Sequence, residues 1–293
     1  MNKEEATLQS RIRTTLSFSY ITSGTRQIRV VKGGKGPPLL LIHGANIGWG
    51  QWYKNIDAFS SRFTVYAFDF PNAGASSRLS YTAFDSSKDL LDVCRDVIDH
   101  FQIYSCIALG HSIGGWVGLQ LALQDPEIFS ALIVTNSLGF THNVTFSQRL
   151  LSFFPFVSFL SRYVVPPDRK HLKKFLGDAM CDPSFLEDEF VDYYVSAVLR
   201  SPVSHPFMFM HACMDFFRLK SQFVLSSQLE SLHVPTLALF GASDPLISVS
   251  SQLQALSSHV HITTHVFSDV GHTPFLEKPD VFNDAVFSWL DTV

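Results

Sequence analysis

Short apolar runs alternate with amphipathic segments along most of this 293-residue chain. The apolar runs are nearly continuous, which is typical of strands that are covered on both faces of a sheet. We predict strands over residues 17–22, 27–31, 37–43, 63–70, 106–110, 131–136, 236–241 and 261–267. Apolar residues at helical spacing predict helices over 86–101, 116–126 and 280–290. This alternation predicts an α/β fold with a mostly parallel central sheet flanked by helices.

One region interrupts the alternation. Residues 140–222 show no convincing strand and contain phenylalanine-rich segments at helical spacing, over 147–163, 168–176, 187–200 and 206–219. Prolines separate these segments and would end one helix before the next begins. We therefore predict an all-helical cap insertion over 140–222, between two parts of one α/β core formed by residues 1–139 and 223–293.

The pentapeptide Gly110-His111-Ser112-Ile113-Gly114 lies where a predicted strand passes into a predicted helix. Its G-x-S-x-G pattern allows a sharp turn that exposes the serine hydroxyl above the end of the strand. The backbone N–H of Ile113 would then point to where negative charge develops on an attacked carbonyl. A glycine-rich packing turn with an unused serine is the alternative, but the strand-to-helix context favours a nucleophile.

A serine nucleophile needs a histidine base and an acid that orients the base, in the chain order serine, acid, histidine. Of the 12 histidines, His272 alone lies in a loop just past the last predicted strand and before the final helix. Asp244 is favoured as the acid because it follows a strand, and open α/β sheets bind ligands beyond the carboxyl ends of their strands. Asp215 lies within the insertion. Asn136, at an earlier strand end, cannot stabilise an imidazolium as a carboxylate does.

Five motifs in this order resemble the α/β-hydrolase family over essentially the whole chain. They are LLLIHGAN (39–46), FDFPNAGAS (68–76), GHSIGG (110–115), FGASDPLI (240–247) and GHTPFLEKPDVF (271–282). The resemblance implies a catalytic triad of Ser112, Asp244 and His272, a nucleophile elbow containing Gly110, His111 and Gly114, and an oxyanion hole formed by the backbone N–H groups of Ala45 and Ile113. Asn72 and Ala73 stand where the family usually has glycine and histidine, which we interpret as structural variation.

Individual residues narrow the kind of hydrolase. Haloalkane dehalogenases and epoxide hydrolases of this family use an aspartate nucleophile, whereas this chain has Ser112. The HGAN sequence differs from the HGGPG and HGGG loops of other branches, and Thr273 replaces the tryptophan that often follows the histidine in C–C bond hydrolases. We predict a capped serine esterase or lipase acting on a carboxylic ester with a hydrophobic acyl or aromatic group. A thioesterase, an acyltransferase, a C–C bond hydrolase and a non-hydrolytic binding protein on this scaffold stay open.

Charge and composition argue against several other functions. A net charge of −4 without a basic block disfavours nucleic-acid binding, and the apolar stretch within 147–163 is too proline-interrupted to favour membrane docking. Cys94, Cys106, Cys181 and Cys213 form no CxxC pair and are expected to be reduced, while His259, His261 and His265 are expected to be partly exposed strand residues. We therefore expect no cofactor and no metal, and a small-molecule substrate as the partner. Because the chain starts without a signal-like apolar region, we expect a cytoplasmic protein. The oligomeric state is left open.

Overall fold

The computed structural model describes residues 1–79, 85, 87–143, 167–200, 213–215 and 218–293, with Met214 and Asp215 described through their backbone. Eight of its strands form one sheet. They are β1 Leu16–Ser23, β2 Arg26–Gly34, β3 Pro38–Ile42, β4 Thr64–Phe68, β5 Cys106–His111, β6 Phe129–Thr135, β9 Thr236–Gly241 and β10 Ile262–Phe267. Their spatial order is β1-β2-β4-β3-β5-β6-β9-β10. Each predicted strand is present. The inner strands β3, β4, β5, β6 and β9 are apolar runs covered on both faces, whereas the edge strands β1 and β10 keep exposed residues.

The sheet is mostly parallel, as predicted. β2 is antiparallel to both β1 and β4, and every other neighbouring pair is parallel. From β3 the chain moves to β4 on one side and then crosses to β5 on the other. The loops after β3 and β5 therefore diverge at a topological switch point, where open α/β sheets form their binding crevice.

Nine α-helices of the described residues accompany these strands. They are α1 Lys3–Gln9, α2 Ile56–Ser60, α3 Lys88–Phe101, α4 Ile113–Gln124, α5 Arg169–Asp178, α6 Asp188–Leu199, α7 Val249–Leu256, α8 Pro274–Glu277 and α9 Pro279–Leu290. The side chains of alternate β3 residues enter two different hydrophobic cores, one on each face of the sheet. Leu40 and Ile42 pack with α3 and α4, whereas Leu39 and Leu41 pack with α2 and α9. The sheet is thus a middle layer between two layers of helices.

The predicted all-helical insertion needs one correction. Helices α5 and α6 match the segments predicted over 168–176 and 187–200, but the helix predicted over 206–219 does not extend to its end. Met214–Asp215 (β7) and Arg218–Leu219 (β8) instead form a two-stranded antiparallel pair. Leu219 is buried with the core, and the Lys220 N–H donates to the Cys213 carbonyl at 3.0 Å, which closes this pair. The segment predicted over 147–163 lies outside the described residues, and the boundaries at 140 and 222 stay a prediction.

The described part of the insertion packs against the core that contains Leu39 and Leu41 of β3. Tyr53 and Phe190 stack with their ring centroids 5.6 Å apart. Tyr193 of α6 and Leu8 of α1 are buried in the same cluster. In the parts of the chain that the structure describes, no helix is long and apolar enough to cross a membrane.

Candidate active site

Ser112 is the single residue between β5 and α4. Its backbone has φ 54° and ψ −117°, a conformation that residues other than glycine rarely adopt. Gly110 has no room for a side chain, because an added Cβ would lie 2.4 Å from the Gly114 carbonyl oxygen. A Cβ on Gly114 would lie 2.3 Å from the Ile42 carbonyl oxygen of β3. The two glycines thus allow α4 to start directly at the strand end, with a partly exposed Ser112 at the turn.

Asp244 and His272 meet beyond the ends of β9 and β10. His272 Nδ1 lies 2.7 Å from Asp244 Oδ2, with the aspartate side chain fully buried and the histidine side chain 8% exposed. Asp244 Oδ1 accepts the N–H groups of Leu246 at 2.7 Å and Ile247 at 3.0 Å, so backbone donors orient the carboxylate. An acceptor at Nδ1 selects the tautomer in which Nε2 of the imidazole carries the lone pair.

Asn136 is a member of this group whose position sequence reasoning did not predict. Its Nδ2 donates to Asp244 Oδ2 at 2.6 Å and to the Gly271 carbonyl at 3.4 Å. Asn136 follows β6 directly, is fully buried and has φ 45°, a left-handed conformation that asparagine tolerates better than most residues. The sequence favours it only as a weaker rival for the acid, whereas the structure makes it a donor to the acid. Its place at a strand end was the one sequence signal.

Glu277 organises the loop that carries His272. This carboxylate is 1% exposed and accepts the N–H of Gly271 at 3.0 Å, the N–H and hydroxyl of Thr273 at 3.2 Å, and the Cys181 N–H at 2.8 Å. The His272 N–H donates to the Ala179 carbonyl at 2.7 Å. The histidine loop is therefore bonded to the insertion at two points. Within the polar sequence EKPD, Glu277 gave no signal of this role.

His111 also contacts the histidine loop. Its Nε2 lies 3.0 Å from the His272 carbonyl oxygen, and the two imidazole centroids are 4.7 Å apart. Burial, together with the neighbouring His272 charge, holds the pKa of His111 well below its usual range. His111 is therefore neutral near pH 7 and donates from Nε2 to that carbonyl. This hydrogen bond joins His111, the residue before Ser112, to the loop that carries the candidate base His272.

The loop after β3 brings backbone N–H groups to the same edge of the sheet. A Cβ on Gly44 would lie 3.5 Å from Ser112 Cβ, so this loop passes close to the serine. The Gly44 N–H donates to Gln51 Oε1 at 3.0 Å. Among the described residues, the N–H of Ala45 has no protein acceptor. Ile113 is the first residue of α4, where a helix offers its own N–H groups no acceptor.

His43 fixes the start of this loop. The Phe70 N–H donates to His43 Nε2 at 2.9 Å, so the proton is on Nδ1, which donates to the Gly44 carbonyl. Complete burial lowers the pKa of His43 to about 4, which keeps the ring neutral. His43 is thereby a structural link between the loops after β3 and β4.

The turn after β4 supports the β3 loop from the other side. Asp69 is fully buried and accepts the Trp49 N–H at 2.7 Å and the Ala75 N–H at 2.7 Å. Burial raises the pKa of Asp69 to about 6, against the lowering effect of these hydrogen bonds. Asn72 has φ 67° and its Oδ1 accepts the Leu79 N–H at 2.8 Å. Asparagine thus takes the left-handed conformation in place of the expected glycine, in line with our interpretation as structural variation.

Not every predicted site residue is joined to the others. Within the described residues, no hydrogen bond connects Ser112 Oγ to His272, although both residues lie at the same edge of the sheet. Such bonds are often long before a substrate binds. No described group of three or more His, Cys, Asp or Glu side chains could hold a metal ion, and the rings of His259 and His261 lie 5.9 Å apart.

Comparison with known proteins identifies the family. Residues 37–279 match the family model of the alpha/beta hydrolase fold. The chain belongs to this α/β-hydrolase family. The α/β-hydrolase motifs in the loops after β3, β4, β5, β9 and β10 all lie within the matched range or at its end.

Similar α/β hydrolases differ in their named activities. Pimeloyl-[acyl-carrier protein] methyl ester esterase of Vibrio atlanticus is 25% identical, over 87% of this chain and 95% of that protein. Epoxide hydrolase 3 of Xenopus tropicalis is 28% identical, over 94% of this chain and 75% of that protein. The crystal structure of naproxen esterase from Bacillus subtilis is similar with a TM-score of 0.79 and 23% identity, covering 98% of this chain and 96% of that chain. The chain is thus an α/β hydrolase with esterases among its relatives.

Proposed function

We propose that this protein is a serine hydrolase that cleaves a carboxylic ester through an acyl-enzyme intermediate. The observation that carries the proposal is the 2.7 Å contact between Asp244 and His272 beside the strained turn that holds Ser112. In this proposal Ser112 is the nucleophile, His272 the base and Asp244 the acid. Similarity to a methyl ester esterase supports the ester as the bond that is cleaved.

In the first step, Ser112 Oγ attacks the ester carbonyl while His272 Nε2 accepts the hydroxyl proton. Asp244 holds Nδ1–H and stabilises the imidazolium that forms. The tetrahedral oxyanion accepts hydrogen bonds from the Ala45 and Ile113 N–H groups, which have no acceptor among the described residues. Loss of one such donor costs roughly 10²–10³ in kcat.

In the second step, His272 gives its proton to the leaving alkoxide, and the acyl group stays on Ser112. A water molecule then attacks the acyl carbonyl while the same histidine accepts its proton. The collapse of the second tetrahedral species releases the carboxylic acid and returns the proton to Ser112. No group other than these three side chains, the two N–H donors and water is needed.

Ser112 separates this proposal from the epoxide hydrolase relative. Epoxide opening in this family uses a carboxylate nucleophile, and the position at the turn is serine here. We propose a hydrophobic acyl or aromatic substrate, because the predicted insertion is rich in phenylalanine. The phenylalanines on which this rests, Phe153, Phe154, Phe156, Phe159, Phe207, Phe209, Phe216 and Phe217, lie outside the described residues.

The test is turnover of p-nitrophenyl esters of increasing acyl length, with a thioester and a C–C substrate alongside. Wild type is expected to hydrolyse esters and to react with a fluorophosphonate probe. Ser112→Ala is expected to lose at least roughly 10³-fold in kcat and all labelling while its circular dichroism spectrum is unchanged. Ser257→Ala, at an exposed serine after α7, is the control and should behave as wild type. Full turnover by Ser112→Ala contradicts the nucleophile, and a wild type inert to both reagents indicates the non-hydrolytic alternative.

A further inference from the structure

Two arginines from different parts of the chain meet on one backbone carbonyl. Arg78, in the turn after β4, donates to the Gly74 carbonyl at 2.5 Å and to the Ala73 carbonyl at 3.1 Å. Arg200, which ends α6, donates to the same Gly74 carbonyl at 3.2 Å. One guanidinium therefore comes from the core and the other from the insertion. We call these two side chains the arginine pair.

Among the described side chains, no carboxylate lies within 4.0 Å of either member of the arginine pair. Burial lowers the pKa of Arg78, and the positive charge of Arg200 lowers it further because the two cations repel each other. Most other described arginines have a carboxylate within 4.0 Å, as Arg29 has Glu5 and Arg26 has Asp89, but neither member of the pair does. The segments that are not described contain no Asp or Glu, and Asp215 is described through its backbone alone.

The nearest buried carboxylate is already engaged. Both oxygens of Asp69 accept backbone N–H groups, from Trp49 and Ala75, so neither is turned into an ion pair with Arg78. Asp69 acts on Arg78 through its charge at longer range only. The two guanidinium groups are thus held together by a neutral carbonyl, an arrangement that an added anion would stabilise.

The pair is connected to the candidate site through the loop after β3. A Cβ on Gly48 would lie 3.2 Å from Gly74 Cα, so the turn that carries the pair packs against the loop that carries Ala45. Because Arg200 belongs to the insertion and donates to Gly74 of the core, the pair lies where these two parts of the chain are in contact. Both features put it at the carboxyl edge of the sheet, where substrates of such folds bind.

We propose that the arginine pair binds an anionic group, a carboxylate or a phosphate, at the end of the substrate remote from the ester. This inference rests on the proposed function and narrows the substrate class to esters that carry a hydrophobic chain with an anionic end. A guanidinium group forms paired N–H hydrogen bonds with a carboxylate or a phosphate. Two guanidinium groups that hold the anionic end of the substrate would therefore fix where its ester group lies. The alternative is that Arg200 only stabilises the carboxyl end of α6 through the helix dipole, which would change stability and not binding.

Direct binding tests the pair without any need for turnover. Wild type is titrated calorimetrically at low salt with suberate, a dicarboxylate, and separately with octyl phosphate; neither contains an ester. We expect at least one of them to bind, and the tighter of the two identifies the anion. Arg200→Gln removes an exposed side chain and is expected to weaken that binding about tenfold. Arg95→Gln is the control, because Arg95 of α3 donates to Gln124 at the end of α4 and not to the turn after β4, and it should bind as wild type.

Arg78→Gln carries a risk of misfolding because Arg78 holds two carbonyls of its turn. Arg78→Lys keeps the charge and loses the guanidinium fork, and it is expected to weaken binding less than Arg78→Gln does. Equal affinity of wild type and Arg200→Gln for suberate and octyl phosphate overturns the proposal, and so does a wild type that binds neither.

A kinetic arm then connects the pair to catalysis. Monomethyl suberate and dimethyl suberate share chain length and differ in one negative charge. The ratio of their kcat/KM values is expected to favour the anionic ester in wild type and to fall about tenfold in Arg200→Gln, with Arg95→Gln unchanged. An unchanged ratio in Arg200→Gln contradicts a role in substrate selection. If wild type hydrolyses neither these esters nor the p-nitrophenyl esters, the proposed function fails while the binding result still decides whether the pair holds an anion.

Discussion

Asn136 Nδ2 lies 2.6 Å from Asp244 Oδ2, the same carboxylate oxygen that lies 2.7 Å from His272 Nδ1. Two donors therefore share one oxygen, while Oδ1 is held by the N–H groups of Leu246 and Ile247. The amide stabilises the carboxylate and fixes the side from which the imidazole can approach. We interpret Asn136 as a positioning residue for the proposed acid.

Asn136→Gly tests this interpretation. Glycine accepts the left-handed backbone at φ 45°, so the substitution removes the amide without adding strain. Misplacement of the acid is expected to lower kcat/KM for a p-nitrophenyl ester roughly 10–100-fold. The amide donates to the proposed acid, so the loss should appear in kcat rather than in KM.

The matched control is Asn283→Ala, which removes another buried amide whose oxygen accepts from Asn55 Nδ2 at 2.9 Å. It should lower the free energy of unfolding and leave kcat unchanged. An unchanged kcat in Asn136→Gly would show that Asn136 is needed only for the fold.

Glu277→Gln is predicted to damage both stability and activity. The carboxylate accepts only, and its four donors come from Gly271, Thr273 and Cys181. An amide NH₂ would face one of these N–H groups, which leaves buried donors unpaired at a cost of about 2–3 kcal/mol. Urea unfolding and ester turnover measure the two effects. Glu127→Gln, at an exposed loop position, is the control; equal urea midpoints for the two variants would refute the prediction.

Much of the fold was predictable because single segments carry their own signal. A strand buried on both faces is a continuous apolar run, whatever its partners are, and the inner strands β3, β4, β5, β6 and β9 are predictable in this way. The predicted start of α4 at residue 116 was three residues late. Gly114 and Gly115 are poor helix formers alone, and the helix begins at Ile113 because those glycines pack against β3 and the residues after β6.

Elements that depend on distant partners were missed. Helix α1 is short, and it forms where Glu5 reaches Arg29 and the Trp49 indole. In the candidate site, Ser112, Asp244 and His272 each lie in a local motif. Asn136 contacts a residue 108 positions away, so no local pattern indicates its role, and the bond from Cys181 to Glu277 spans 96 positions.

Asp69 predicts a specific dependence of stability on pH. Burial raises its pKa from 3.8 to about 6 in the folded protein, so between these values the folded state binds more protons than the unfolded state. The contribution of Asp69 to stability is therefore complete below about pH 4 and is lost as the pH rises through 6. Asp69→Asn cannot titrate. The free energy of unfolding of this variant minus that of wild type should rise by roughly 3 kcal/mol between pH 4 and pH 7.

Asp57 provides the opposite control. Burial raises its pKa, but hydrogen bonds from Arg13 and Thr14 outweigh burial and the pKa is lowered. Its stabilisation is present at neutral pH and is lost as the pH falls through the folded pKa, so the Asp57→Asn difference should run the other way. Urea unfolding at several pH values measures both. A flat difference curve for Asp69→Asn would exclude a raised pKa at Asp69.

Ser112 itself is predicted to be a site where activity opposes stability. Its φ of 54° and ψ of −117° strain a residue with a side chain by about 1–3 kcal/mol, whereas glycine adopts them freely. Ser112→Gly and Ser112→Ala both remove the hydroxyl, and both should be inactive. The glycine variant is expected to be more stable than the alanine variant by about 1 kcal/mol in urea unfolding, after its greater unfolded-state entropy is subtracted. At Ser248, where φ is −69°, the same pair should show the reverse order. If Ser112→Ala is as stable as Ser112→Gly or more stable in urea unfolding, the backbone at position 112 is not strained.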